Sequence, residues 1–184
     1  MGSIDPHKWT ITGRATAFKA RRWEVERSTR FRAGDTTPHE FFLIRIPDFV
    51  HVIPVTTDGQ LVMVRQFRHG LEAPTLEFPG GLLDESDACP ASAARRELRE
   101  ETGYDAPILR PLPIIHPNPA LLTNRAHFFV AEQAVRVAEA QLESTEDVAL
   151  SHMPVSEARE RAEAGTLGLT NAAHLAALFL SGLI

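Results

Sequence analysis

Glu97, Glu100 and Glu101 stand at i, i+3 and i+4 in the run "ARRELREETG". On a helix this spacing gathers the three carboxylates within roughly a third of the circumference. Like charges so placed cost about 0.2–0.5 kcal/mol per pair. Gly103 reads as the residue just past the helix end, so Glu100 and Glu101 fall in the last turn, where the helix dipole favours a cation instead. A helix chosen only for stability would not carry them there. One reading is a wet acidic face, screened by Arg95, Arg96 and Arg99. The other is a site for a hard divalent cation. Clustered carboxylate oxygens suit Mg²⁺ or Mn²⁺, ions that bind a few carboxylates together with substrate phosphates. Upstream, Gly80-Gly81 would let the backbone approach such an ion, although an ordinary tight turn needs the same glycines.

The elements that must position these residues follow from pattern. The helix spans roughly Pro90–Thr102, with proline suited to its first turn. Ala91, Ala94 and Leu98 give it a narrow apolar stripe about a quarter turn from the acidic side, so the carboxylates are expected on its flank. "WTITGRATAFKARRWEVERSTR" reads as one or two strands. "HEFFLIRI", "FVHVIPVT" and "LVMVRQFR" are further strands, the last two joined by a turn of the Asp-Gly type in "TTDGQ". "TLEF" is a short strand running into Pro79-Gly80-Gly81. "ILRPLPII", weakened by its prolines, "AHFFVAEQ" and "EDVALSHMP" follow as strands. "VSEARERAEAG" and the strongly apolar "NAAHLAALFLSGL" read as helices, with Leu178, Phe179 and Leu180 as core. Strands with interspersed helices and antiparallel hairpins imply an α/β chain whose mixed sheet packs between helices.

The 184 residues fit one domain with an elaborated end or a small appendage; 43% are hydrophobic and 23% charged, ordinary for a globular protein. The single cysteine, Cys89, excludes an internal disulfide and, with no apolar leader in "MGSIDPHKWTITG", points to a reducing cytoplasm. No apolar run is long enough to span a membrane. The net charge of −5 is uneven. Residues 1–50 carry nine Lys/Arg against six Asp/Glu, and the remainder ten against eighteen. The basic stretch "KARRWEVERSTRFR" could help hold an anion, or be a strand with its charged face in water. With a pI near 5.9, and with aromatics not interleaved with dense basic residues, nucleic acid is not the expected partner. His69, His116 and His127 stand alone, with no pair at metal-ligand spacing, and read as structural. Phe41, Phe42, Phe128 and Phe129 read as core or interface.

The run "GLLDESDACPASAARRELREETGY" resembles the signature of the Nudix hydrolases: Gly, five residues, Glu, seven residues, then Arg-Glu-aliphatic-any-Glu-Glu-any-Gly-aliphatic. Gly81 opens it, and Arg96, Glu97, Leu98, Glu100, Glu101 and Gly103 match its second half position by position. Tyr104 fills the last, aliphatic place. The first half departs. The family's first Glu falls on Asp87 counting forward from Gly81, and on Ala88 counting back from Arg96, so the turn is one residue longer than the pattern. Because that Glu usually partners the motif arginine, the departure bears on turn geometry more than on chemistry. "VRQFRHG…TLEFPGG", the strand-rich N-terminus and the tail from "TEDVALSHMP" resemble the ADP-ribose pyrophosphatase branch.

That resemblance implies a Nudix-type α/β/α sandwich over residues 49–184, and a β-rich extension over residues 1–48 that serves dimerisation and the substrate site. It implies metal ligands at the Gly81 carbonyl, Glu97, Glu100 and Glu101, for Mg²⁺ or Mn²⁺. Arg96 would organise the carboxylates, and an acidic loop would add Glu146, or Glu143, as general base or further ligand. Arg65, Arg68 and Glu77 are substrate or metal neighbours, though each could be a surface charge. Pro119 matches a branch proline, but Asn118-Pro119-Ala120 stands where the branch often has Ser-Pro-Gly, which puts the substrate in question. The implied activity is divalent-metal-dependent hydrolysis of the pyrophosphate bond of a nucleoside diphosphate derivative, such as ADP-ribose to AMP and ribose 5-phosphate. Two alternatives stand beside it: another substrate (a nucleotide sugar, a dinucleotide or a cofactor), or a non-catalytic ligand sensor. The implied state is a homodimer.

Overall fold

Strand β10 (Ala126–Arg136) and strand β4 (Phe49–Thr56) run parallel at the centre of an eight-stranded sheet, and their side chains alternate between two cores. Phe128 and Val130 of β10 join Ile53 in one cluster; Phe129 and Ala131 join Val50 and Val52 in the other. Both faces are therefore apolar, which is why these strands read as near-continuous hydrophobic runs. The computed structural model describes residues 9–142, 147–169 and 171–184.

The remaining elements of the sheet are β5 (Gln60–Arg68), β6 (Ala73–Glu77), β7 (Gly80–Leu82), β8 (Tyr104–Asp105), β9 (Ile108–Pro111) and β11 (Val148–Pro154). The main order is β11-β5-β4-β10-β8; β6 pairs with β5, β7 with β4 and β9 with β10. All these pairings other than β4 with β10 are antiparallel, so the sheet is mixed. Helix α1 (Pro90–Thr102) covers one face through Ala93, Ala94 and Leu98. Helices α2 (Val155–Glu163) and α3 (Ala172–Ser181) cover the other through Ala158, Ala173, Ala177 and Leu178. The result is the α/β/α layering expected from the sequence. Phe179 and Leu180 are 60% and 50% exposed, contrary to the core role expected of them. One helix packs only one stripe on a sheet, and here Ala173, Ala177 and Leu178 fill it.

The chain divides into two compact units: residues up to Pro47 with His116–Asn124, and Asp48–Ile115 with Arg125–Ile184. The first holds a separate antiparallel sheet, β1 (Trp9–Lys19), β2 (Glu24–Arg32) and β3 (His39–Arg45), in that order. The segment His116–Asn124, read from sequence as part of the second domain, joins this unit by hydrogen bonds. Ile44 N–H donates to the Leu121 carbonyl (2.8 Å), Thr123 N–H to the Ile44 carbonyl (3.1 Å), and Asn124 Nδ2 to the Pro47 carbonyl (3.2 Å). Within the first unit, Glu26 is buried and held below the usual carboxylate range, chiefly by its 2.7 Å bond from Arg45 Nε. Phe41 and Phe42 are exposed, whereas Phe128 and Phe129 are core. Among the described residues no helix is long and apolar enough to cross a membrane.

Candidate active site

Helix α1 is fixed at both ends. At its start Pro90 occupies the first turn, and Cys89 N–H donates to Ser92 Oγ at 3.0 Å. At its end Gly103 adopts φ 73°, the left-handed conformation that favours glycine, and its N–H donates to the Arg99 carbonyl. Glu97 and Glu101 are buried, and Glu100 is partly exposed. The acidic side is thus mostly turned inward, which rules out the wet-face reading; only Glu100 lies at the flank where all three were expected. The inward side meets the turn between β6 and β7. Gly80 N–H donates to Glu101 Oε2 at 2.8 Å, and a Cβ on Gly81 would lie 2.4 Å from Glu97 Oε1. The bare α-carbon of Gly81 is what admits the Glu97 carboxylate.

Arg96 ties the cluster together. Its Nη1 donates to Glu97 Oε1 (2.8 Å) and Glu100 Oε2 (2.9 Å); its Nε and Nη2 grip Asp87 at 3.2 and 2.9 Å. Asp87 foremost, with the two glutamates, raises the guanidinium pKa, and Arg96 in turn holds Asp87 below its ordinary value. Counting forward from Gly81 therefore finds the arginine's partner, and the extra residue lies between Asp87 and Arg96. Among the described residues no group of three His, Cys, Asp or Glu side chains is gathered as a cation cage. A guanidinium and a backbone N–H engage the carboxylates instead.

Arg68 and Glu77 form a two-pronged pair at 2.7 and 2.8 Å, and Thr75 Oγ1 donates to Glu77 Oε1 at 2.6 Å. Burial alone would raise the Glu77 pKa; Arg68 and Thr75 outweigh it and hold the carboxyl at about 2. This pair lines a cavity of about 390 Å³ that also touches Asn171 at the start of α3. A second cavity, about 520 Å³, is lined by Arg95, Arg96, Arg99 and Glu100 of α1 and by Val137, Ala138, Glu139 and Gln141. Arg65 is exposed on β5, its register partner on β6 being Leu76. Pro119 belongs to the other unit and is exposed there. Glu143 and Glu146 lie outside the described residues.

Sequence reasoning passed over two histidines. His51 on β4 and His174 on α3 are buried, with ring centroids 4.2 Å apart at 70°. Desolvation pulls His51 down to about 4 and His174 lower still, so both rings are neutral near pH 7. His69 and His116 are exposed, and His127 lies 3.3 Å from Asp48. The signal for the buried pair was present: a polar residue inside the apolar runs "FVHVIP" and "NAAHLAAL" is more informative than the apolar residues around it.

Comparison with known proteins agrees with this layout. A model of the NUDIX domain matches residues 46–171. An ADP-ribose pyrophosphatase of Bacillus subtilis (strain 168) is 36% identical over 114 residues, 62% of this chain and 60% of that protein. A methanol dehydrogenase activator of Bacillus methanolicus is 33% identical over 132 residues, 72% of this chain and 69% of that one. The first of these relatives is thus spanned over less than two thirds of its length. A solved structure titled as that of an ADP compounds hydrolase superposes with a TM-score of 0.83 at 24% identity, over 98% of this chain and 95% of that one, and so shares the fold. With the domain match covering most of the second unit and the signature helix set against the Gly80-Gly81 turn, the chain belongs to the Nudix family.

Proposed function

We propose that this protein hydrolyses the pyrophosphate bond of a nucleoside diphosphate derivative, with ADP-ribose, split to AMP and ribose 5-phosphate, as the first substrate to test. The observation that carries the reading is the α1 surface itself: Glu97 and Glu101 set against Gly80-Gly81, with Glu100 on the flank and Arg96 bonded to both Glu97 and Glu100. Nudix proteins generally use divalent metals. The residues fit such an ion. Their donors are all hard oxygens, and the Gly81 α-carbon leaves room where a Cβ would press on the Glu97 carboxylate. Glu97, Glu100, Glu101 and the Gly81 carbonyl would hold Mg²⁺ or Mn²⁺, which when bound supplies charge neutralisation at the diphosphate and a more acidic attacking water.

The chain's own residues do the rest. Water adds to one phosphorus, the bond to the bridging oxygen breaks, and a carboxylate takes the water's proton. Glu146 is our choice for that base; Glu143 or one of the motif glutamates is the alternative. Arg96 restrains the carboxylates through charge-assisted bonds, a positioning role. Arg68, Glu77, Arg65 and Pro119 are proposed to contact substrate. Arg68 is already half committed, since its guanidinium is shared with Glu77.

A panel of ADP-ribose, nucleotide sugars, dinucleotides and nucleotide cofactors, each with Mg²⁺ or Mn²⁺ and then with excess chelator, tests the reading. Metal-dependent release of a nucleoside monophosphate from ADP-ribose is expected. Turnover of a different member keeps the chemistry and moves the substrate, which the unusual Asn118-Pro119-Ala120 would favour. No metal-dependent turnover by the folded chain would leave the sensor reading.

We further propose that the first unit associates with a second copy. It exposes Trp9, Phe18, Phe41 and Phe42 on its strands and Trp23 between β1 and β2, more large apolar surface than isolated hydrophobes require. Light scattering at micromolar concentration is expected to give twice the chain mass; a monomer alone would remove the proposal.

A further inference from the structure

The turn that faces the α1 carboxylates has nearly every backbone polar group assigned. Gly80 and Gly81 pair with His51 and Val50 on β4. Val52 N–H donates to the Pro79 carbonyl at 2.9 Å, and Gly80 N–H goes to Glu101. One residue earlier, both groups of Phe78 are taken by imidazoles. Phe78 N–H donates to His174 Nδ1 at 3.2 Å, and His51 Nδ1 lies 3.3 Å from the Phe78 carbonyl. His174 thus reaches the site's backbone from the last helix, 96 residues away in sequence.

We propose that His174 is a positioning residue for the proposed phosphohydrolase site: by accepting the Phe78 amide it fixes the peptide from which the Pro79-Gly80-Gly81 turn departs. The tautomer supports this. A ring that accepts at Nδ1 carries its proton on Nε2, and that buried nitrogen has no hydrogen-bond partner among the described residues. An unpartnered buried donor is unfavourable, so the ring is better explained by what its other nitrogen holds than by core stability. An apolar side chain would fill the space beside Phe78, Phe128 and His51 without that penalty, but would leave the Phe78 amide with no acceptor. Desolvation keeps the ring neutral, and so an acceptor, across the neutral range.

The test compares His174→Leu, His174→Asn and His174→Gln. An asparagine oxygen falls close to the place of Nδ1, whereas the longer glutamine places its oxygen nearer that of Nε2. The effect on turnover rests on the function proposed above; the effect on backbone protection does not. At saturating metal, Leu and Gln are expected to lower kcat roughly tenfold, the scale of lost outer-shell support, with KM within about twofold. Amide exchange at Phe78 and Gly80 should quicken in the same two variants, and Asn should restore both readouts. The inference is overturned if Asn behaves like Leu, if Leu retains native kcat, or if the loss follows melting temperature across all three. Should the native chain turn over nothing in the panel, the functional reading fails by itself. Exchange at Gly80 then decides the clamp: faster exchange in Leu, restored in Asn, supports it, and unchanged exchange overturns it.

Discussion

Glu101→Gln is expected to lower kcat by about a hundredfold to a thousandfold, the scale of removing one preorganised electrostatic stabiliser from a hydrolytic site. The fold should survive. Glu101 is buried and accepts from the Gly80 amide, a bond that a glutamine oxygen can still receive. What the amide cannot supply is the negative charge, and its NH₂ end presents donors where a cation needs acceptors. Glu100→Gln should give a loss of similar order by a different route. That side chain is 44% exposed and paired with Arg96, so the change removes an anion and frees part of the guanidinium. Steady-state kinetics on the substrate found with the panel, beside thermal melts, checks both. If either variant keeps kcat within about threefold of native, the α1 carboxylates do not hold the catalytic charge and the proposed chemistry is wrong.

The largest stability effect is expected at Gly80. A Cβ there would lie 2.1 Å from the Val50 carbonyl oxygen and 2.8 Å from the His51 α-carbon. Both are backbone atoms of the central strand β4, so no rotamer change relieves the overlap. Gly80→Ala should destabilise by about 3 kcal/mol, the upper end of ordinary overpacking, and lower Tm by roughly 6–12 °C for a chain of this size. Gly81→Ala makes the informative contrast. The three atoms nearest its Cβ would all belong to the Glu97 carboxylate, the movable end of a side chain. Stability should change by less than about 1 kcal/mol while activity falls. Melting curves that shift equally for the two glycines would mean that the close approach of β7 to β4 is less strict than these contacts require.

Much of the candidate site was legible because its signals are local. Pro90 and Gly103 bound α1 within the helix itself, and the i, i+3, i+4 glutamates need only the helical period. Which way those glutamates face was not legible. Glu97 and Glu101 are buried because β7 supplies a glycine turn against them, and that contact depends on the pairing of β7 with β4. The same holds for His51 and His174, whose meeting needs α3 docked under the sheet. In α3 the apolar run concealed its own exposed edge, since Phe179 and Leu180 look no different in composition from Leu178. Asp87 could be assigned from sequence only by choosing where to count from; the bond to Arg96 makes the choice.

The segment His116–Asn124 makes the chain pass between its two units three times, after Pro47, after Ile115 and after Asn124. The N-terminal unit is therefore not a cassette that one cut can remove or one gene fusion can append. A truncation at residue 48 would leave His116–Asn124 in place but take away Ile44, which exchanges backbone bonds with Leu121 and Thr123, and the Pro47 carbonyl that accepts from Asn124 Nδ2. The orphaned groups would lie in the segment that carries Asn118-Pro119-Ala120. Any transplant of this extension must carry that internal stretch with it.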